Sequence, residues 1–110
     1  MPYVYEISFS VGPDQMDELE GGKTLERVLG YLRTRLPNEH GYMTSRAMHS
    51  IDDPHRTRMV FLSEWGSWEA LQAHSRSSLL EDKVLEEFDP HVKAESISSR
   101  TYVEVGPEPY

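Results

Sequence analysis

Apolar and polar residues alternate along the first stretch of the chain. Between residues 3 and 11 every second side chain is aromatic or aliphatic, and Glu6, Ser8 and Ser10 occupy three of the positions between. A period of two that is rich in aromatic and β-branched residues predicts a strand with one buried face. Gly12-Pro13-Asp14 is a turn sequence that ends this strand.

The hydrophobic period becomes helical after Thr24. Apolar side chains then follow the spacing of one helical face: Leu25, Val28, Leu29, Leu32 and Leu36. Thr24 is predicted to cap this helix, and Pro37-Asn38 to end it. Gly30 lies inside the helix, where it costs about 1 kcal/mol relative to Ala. It either makes room for a neighbour or ligand or is simply tolerated.

Two strands are predicted over residues 42–50 and 56–65, joined by a turn that contains Asp52-Asp53-Pro54. The second strand is apolar on both faces. Met59, Phe61 and Trp65 share one face, and Val60 and Leu62 lie on the other. A sheet with two apolar faces needs cover on both sides.

The remaining elements are two helices and a strand. Ser67 is predicted to cap a short helix that runs to about His74, and Ser78 with Glu81 forms a capping box for the next helix. The buried stripe of that helix is predicted to be Leu80, Val84, Leu85 and Phe88. Residues 96–105 form the last strand, whose inward candidates are Ile97, Thr101, Val103 and Val105.

The predicted order is therefore β-α-β-β-α-β, with the second helical region split in two. This order is typical of a ferredoxin-like α+β fold, in which helices cover one face of a four-stranded antiparallel sheet. The other face still carries apolar side chains. We therefore expect a second copy of the chain to cover it, which would make a homodimer with the architecture of a dimeric α+β barrel.

Composition narrows the class of protein. A chain of 110 residues and 12.7 kDa is one domain, with its core at about 3–105 and a tail at 106–110. The net charge of −8 argues against partners such as nucleic acid or an anionic membrane surface. No segment has the length of a membrane span, and residues 1–6 do not resemble a signal peptide, so a cytoplasmic location is expected. The absence of cysteine excludes disulfides and thiolate chemistry.

Two runs of sequence carry a resemblance to a known family. Glu64-Trp65-Gly66-Ser67-Trp68-Glu69-Ala70-Leu71-Gln72-Ala73-His74 joins a predicted strand to a helix, and Pro37-Asn38-Glu39-His40-Gly41-Tyr42 leads into the second strand. Together they resemble the antibiotic biosynthesis monooxygenase family over roughly residues 3–105. The resemblance implies a dimeric ferredoxin-like barrel with a small apolar cavity between sheet and helices. It also implies membership of a group that includes cofactor-free oxygenases of anthrones and quinols.

The departures from the family pattern are informative. The haem-degrading branch has an Asn on the first strand, a Trp near His74 and a later His, whereas this chain has Ile7, Ser8 and Val84 at the outer two positions. The resemblance therefore disfavours haem binding or degradation. The anthrone-oxidising branch matches at Trp65, but its Asn and Tyr positions hold Phe61 and Leu71 here.

Trp65 and His74 are the candidate catalytic residues. A histidine titrates near working pH, so His74 is a candidate base or hydrogen-bond donor to a phenolic substrate; the alternative is that it only caps its helix, where the macrodipole favours imidazolium. Trp65 and Trp68 either line an aromatic pocket or anchor a strand–helix corner. Phe61 and Tyr31 are weaker candidates for substrate binding.

The hairpin turn contains four potential metal ligands, His49, Asp52, Asp53 and His55. Their spacing matches no metal-site motif, and polar turns are usually solvated, so no metal is expected. Nucleotide motifs are absent as well. The chain is therefore expected to need no cofactor.

The expected function is that of a cofactor-independent monooxygenase, which uses O₂ to oxidise a small reduced aromatic such as a quinol or a polyketide phenol. The alternative is a dimeric small-ligand-binding or stress-response module without turnover. That alternative is favoured by the lack of a second convincing polar catalytic residue. A haem-binding or haem-degrading protein is the third hypothesis.

Overall fold

The computed structural model of the protein describes residues 2–13, 23–77, 79–88 and 96–105. The elements, in chain order, are β1 (Tyr3–Val11), α1 (Thr24–Thr34), a short 3₁₀ helix (Leu36–Asn38), β2 (Tyr42–His49), β3 (Thr57–Trp65), α2 (Trp68–Ser77), α3 (Leu79–Phe88) and β4 (Ser98–Val103). The predicted β-α-β-β-α-β order, with a split second helical region, is confirmed.

The four strands form one antiparallel sheet in the order β2-β3-β1-β4. Tyr3 at the start of β1 lies opposite Trp65 on β3 and Val103 on β4. The hairpin strands β2 and β3 are neighbours, and β1 lies between β3 and β4. This arrangement is the ferredoxin-like α+β fold that the sequence predicts.

The core lies between the helices and one face of the sheet. Alternate residues of β1 and β3 are buried there, including Phe9 and Phe61. Phe88 from α3 meets both rings, at centroid distances of 5.1 and 6.4 Å. Tilted and edge-to-face aromatic contacts of this kind pack densely. The family resemblance implied a small cavity between the sheet and the helices. The middle of that space is occupied by these aromatic side chains.

Helix α1 begins differently from the prediction. Thr24 is the first helical residue and is buried, whereas Lys23 occupies the capping position in a left-handed conformation with φ of 63° and makes no side-chain cap. The predicted Thr24 cap is wrong, because its hydroxyl accepts a hydrogen bond from Arg27 Nη2 at 3.3 Å. Around Gly30 a Cβ would meet no atom of the described residues within 4 Å, so this glycine makes room for no neighbour among them.

Helix α2 begins as predicted. The Ser67 hydroxyl accepts the backbone N–H of Ala70 at 3.1 Å, which is an N-cap hydrogen bond. The helix continues past His74 to Ser77. Ser78, half of the predicted capping box, lies outside the described residues. The predicted apolar stripe of α3 is buried at Leu80, Val84 and Phe88, and Leu85 is half-buried.

The last strand is less buried than the sequence predicts. Ile97 is half-buried and precedes β4, but Thr101, Val103 and Val105 are exposed. The register places Thr101 opposite Tyr5 and Val103 opposite Tyr3, on the face that the helices cover, as predicted. Both are nevertheless exposed there, and Val105 lies beyond the end of the strand. β4 lies at the edge of the sheet, and its neighbour among the described strands is β1. At an edge, the alternation of apolar and polar residues therefore does not indicate which side chains are buried.

The face of the sheet opposite the helices is partly apolar, as expected from β3. Val4, Val60 and Leu62 are half-buried on it, and Met48 and Tyr102 are 46% and 43% exposed. The register places these side chains on neighbouring strands. We refer to these five residues as the open face. No helix among the described residues is long and apolar enough to cross a membrane.

Candidate active site

His74 is the buried polar residue on which the candidate site is built. It lies in the last turn of α2 and is only 2% exposed. Its ring stacks on that of Trp65, with centroids 4.6 Å apart and planes inclined by 26°. The Tyr5 ring meets the imidazole edge-on at 5.4 Å and 88°. Three elements, β1, β3 and α2, therefore hold the imidazole in place.

Trp65 is the fully buried partner in this stack. It ends β3, and its indole N–H donates to the Ser63 hydroxyl at 2.9 Å. Tyr42 packs edge-on against the indole at 5.8 Å. A buried indole needs such an acceptor, and here it has one. The Trp65 ring is thus rigidly placed, and its N–H is not a free donor.

The imidazole nitrogens of His74 have no such partner. Both Nδ1 and Nε2 are buried and make no hydrogen bond to any described residue. Loss of hydration lowers the pKa of His74 to about 4. Desolvation by burial causes this shift, and it disfavours the imidazolium that the helix dipole was expected to favour. At neutral pH the ring is uncharged, with one N–H donor and one lone-pair acceptor unused.

A cavity of about 200 Å³ lies beside this stack. It is partly open and lies between α2 and the segment that precedes β2. Its lining residues are Glu39, His40, Trp65, Ser67, Glu69, Ala70, Ala73 and His74. We refer to it as the α2 pocket. It brings together the two residues that the sequence nominates for catalysis.

Gly41 sets how closely α2 approaches the segment before β2. Its φ is +81°, a region that favours glycine, and its carbonyl accepts the Gly66 N–H at 2.9 Å. A Cβ at this position would overlap the Cβ of Ala70 on α2. The glycine therefore permits the close contact that forms one edge of the α2 pocket.

The other three predicted site residues lie elsewhere. Phe61 is fully buried in the aromatic core. Trp68 is 41% exposed, with its ring 5.9 Å from that of Tyr3. Tyr31 lies on α1, where its hydroxyl is buried without a partner among the described residues. None of these side chains lines the α2 pocket.

Sequence reasoning missed several residues that do line it. Glu39 and His40 approach from the segment before β2, and Glu69 and Ala73 from α2. His40 is exposed and also borders the pocket. All four lie inside the two runs that carry the family resemblance, so membership of these runs could have identified them as pocket residues.

Tyr5, which contacts His74, also makes a polar contact with α3. The Tyr5 hydroxyl donates to the Glu81 carboxylate. Burial, and then the neighbouring Glu81, raise the pKa of Tyr5, so the phenol stays protonated. The second carboxylate oxygen of Glu81 is buried without a partner among the described residues. Tyr5 thus connects the imidazole through its ring edge to a buried carboxylate on α3.

The hairpin residues take part in turn contacts. Asp53 accepts the backbone N–H of His55 at 2.9 Å, and a ring nitrogen of His49 lies 3.1 Å from the Ser50 carbonyl. Among the residues with described positions, no group of three or more His, Asp or Glu side chains is placed to hold a metal ion.

Comparison with known proteins is informative only at the level of structure. No protein-family model matches the chain, and no curated protein matches it. A monooxygenase from the gene ActVA-Orf6 of Streptomyces coelicolor, crystallised with Nanaomycin D, superposes with a TM-score of 0.62 at 15% identity, over 98% of this chain and 91% of that one.

Two further solved structures agree with this match. A mutant form of SnoaB, a cofactor-independent oxygenase from Streptomyces nogalater, matches with a TM-score of 0.60 at 11% identity, over 97% of this chain and 98% of that one. A candidate antibiotic biosynthesis monooxygenase from Nitrosomonas europaea matches with a TM-score of 0.54 at 21% identity, over 96% and 92%. The chain has the antibiotic biosynthesis monooxygenase fold. At these identities, the likeness establishes the fold alone.

Proposed function

We propose that this protein is a cofactor-independent monooxygenase, which uses O₂ to oxidise a small reduced aromatic such as a quinol or a polyketide phenol. One observation carries the proposal. A buried, uncharged imidazole with no hydrogen-bond partner among the described residues borders a pocket and stacks on a tryptophan. Buried polar atoms without partners are rare and cost stability, and they cluster where a ligand completes them. The fold shared with oxygenases supports the same assignment.

The first role of the α2 pocket in this reaction is to bind a planar ring. Trp65, Ala70 and Ala73 supply the apolar part of the lining. A pocket that excludes water strengthens each electrostatic contact that the substrate makes inside it. His74 accepts the phenolic proton, and the phenolate formed beside it stabilises the imidazolium. This new ion pair offsets the desolvation that otherwise keeps the pKa of His74 near 4.

The substrate supplies all the electrons. The phenolate transfers one electron to O₂, and the resulting phenoxyl radical combines with superoxide at a ring carbon to form a C–O bond. Cleavage of the O–O bond then leaves one oxygen atom on the ring as a carbonyl, and the other departs as water. Oxidation of the ring CH₂ of an anthrone to C=O releases four electrons, and oxidation of a quinol to a hydroxyquinone at a ring C–H releases the same number, which is the number that O₂ accepts. The protein's tasks are therefore to bind, desolvate, deprotonate and orient.

We infer that the active unit is a homodimer. The open face carries apolar side chains on three neighbouring strands, among them Val4, Leu62 and Met48. Two such faces packed together would bury these side chains and close both sheets into a barrel.

The second candidate function is that of a small-ligand-binding module without turnover. One observation favours it: both nitrogens of His74 are covered. Catalysis requires a rotation of the side chain that presents one nitrogen to the substrate, whereas binding against the ring faces does not. The two candidates differ in whether O₂ is consumed.

An oxygen electrode tests the proposal with reduced menadione and with an anthrone as substrates. Uptake above the rate of autoxidation, which falls at least about tenfold in His74→Ala, is the expected result. His55→Ala, an exposed histidine in the hairpin turn, is the matched control and should keep full activity. Saturable binding without oxygen uptake would support the ligand-binding module. Uptake that is equal in wild type and His74→Ala would remove His74 from the mechanism.

A further inference from the structure

The lining of the α2 pocket includes the indole of Trp65 and the carboxylates of Glu39 and Glu69, and we refer to these two carboxylates as the acidic rim. Among its described lining residues are the carboxylates of Glu39, which is half-buried, and Glu69, which is exposed. The described lining contains no Lys or Arg. A ring that enters the pocket therefore passes two carboxylates and no cation of these types.

These carboxylates are not neutralised by ion pairs within the part of the chain that the structure describes. The salt bridges found there are those of Glu87 with Arg27 and with Lys83, both away from the α2 pocket. The net charge of −8 adds a negative field of longer range. Within the described residues, no ion pair therefore offsets the negative charge that the rim presents to an incoming molecule.

An independent observation indicates that a ligand belongs here. His74 is 2% exposed, lines the same pocket, and has no partner for either nitrogen among the described residues. Acidic side chains alone are common on surfaces. A buried imidazole without a hydrogen-bond partner is rare, because burial removes its hydration and a hydrogen bond to a bound group would compensate for that loss.

The volume limits what the pocket holds. A cavity of about 150 Å³ accommodates benzene, and the α2 pocket measures about 200 Å³. One aromatic ring, or one ring of a larger fused system, therefore fits, and any substituent on it lies within a lining that contains Glu39 and Glu69. The charge of that substituent decides whether the rim attracts or repels the molecule.

We propose that Glu39 and Glu69 make the α2 pocket selective for small phenolic compounds that carry an amine cation on a short side chain, and that they exclude carboxylates. This inference rests on the proposed function, in which the α2 pocket binds the substrate, and it specifies the class of that substrate. It follows from the presence of two carboxylates in the lining of a ring-sized cavity whose described lining has no Lys or Arg.

Three phenols of nearly identical shape test the proposal: tyramine, the uncharged tyrosol, and para-hydroxyphenylacetate. Calorimetric titration at low salt should give the order tyramine, tyrosol, para-hydroxyphenylacetate, with at least about tenfold between the first and last. The double variant Glu39→Gln/Glu69→Gln should reduce this ratio at least about threefold, and 1 M salt should reduce it similarly. Glu86→Gln, on the exposed face of α3, is the control and should leave the ratio unchanged.

Equal affinities, a preference for the carboxylate, a ratio that the double variant does not change, or no binding of any of the three would each overturn the proposal. Its failure is distinguishable from failure of the proposed function. If the protein consumes O₂ with a quinol but binds the three phenols equally well, only the proposed preference for phenols that carry an amine is refuted. If the three phenols bind in the expected order but no phenol or quinol causes O₂ uptake, only the proposed oxygenase activity is refuted.

Discussion

The imidazole of His74 lies on the indole of Trp65, with ring centroids 4.6 Å apart and planes inclined by 26°. The indole N–H is satisfied by Ser63, while both imidazole nitrogens lack a partner among the described residues. The stack therefore shields the imidazole from water without giving it a hydrogen bond. Stability and activity should consequently respond to His74 in opposite directions.

Replacing His74 with Phe should stabilise the protein. The substitution keeps a ring that can stack on Trp65 and removes two buried polar atoms, each of which loses its hydration on folding. We expect the free energy of unfolding in urea at pH 7 to rise by about 1 kcal/mol, while oxygen uptake is lost. His55→Phe, at an exposed turn position, should change stability by less than about 0.5 kcal/mol. A loss of stability in His74→Phe would mean that the imidazole has a partner in solution.

Stability should fall in mild acid because of the same residue. The pKa of His74 is about 4 in the folded protein and 6.5 when exposed, so between these values the unfolded chain binds the proton and the folded one does not. Unfolding free energy should therefore decrease as pH falls through this window, by up to about 1.4 kcal/mol per pH unit and about 3 kcal/mol in all.

Urea unfolding from pH 7 to pH 4 measures this slope, and His74→Phe should remove most of it. Glu87 contributes in a lower window: hydrogen bonds from Arg27 and then Lys83 keep its pKa below the usual 4.5, so its stabilisation is lost only on further acidification. A slope between pH 6.5 and 4 that survives in His74→Phe would assign the acid sensitivity to another group.

Two glycines should respond oppositely to alanine. In Gly41→Ala the new Cβ overlaps Ala70 and the backbone has φ of +81°, so we expect a loss of about 2–4 kcal/mol in unfolding free energy. Gly30→Ala adds a Cβ in open space inside α1, so we expect a gain of about 0.5–1 kcal/mol. Thermal and urea unfolding of the pair provides the comparison. Equal effects would contradict the close contact between α2 and Gly41.

The open face should control assembly. Light scattering should give a wild-type mass of twice the 12.7 kDa chain, and Leu62→Glu should reduce it to that of one chain, because the carboxylate would be buried at the interface. Ile51→Glu, in the hairpin turn where the side chain is 91% exposed, should remain dimeric. Circular dichroism checks that both variants stay folded. A wild-type protein that is monomeric at micromolar concentration would contradict the inferred dimer.

The sequence was sufficient for most of the fold. The period-2 pattern of β1, the helical stripe around Val28 and Leu32, and the Ser67 cap each depend on neighbours a few residues away, and each was predicted correctly. The predictions that failed, the cap at Thr24 and the burial of residues along β4, concern an individual side-chain contact and the edge of a sheet. Local pattern does not specify either.

By itself, the sequence determined the order of elements, the apolar faces and the pair Trp65 and His74, because periodicity and a short motif are local properties of the chain. Only the tertiary structure decided that Phe61 belongs to the core, that Glu39 and Glu69 border a pocket, and that His74 is uncharged. Those properties arise when β1, β3 and α2 come together and exclude water. Burial and pKa depend on neighbours that are distant in the chain, and no local pattern encodes them.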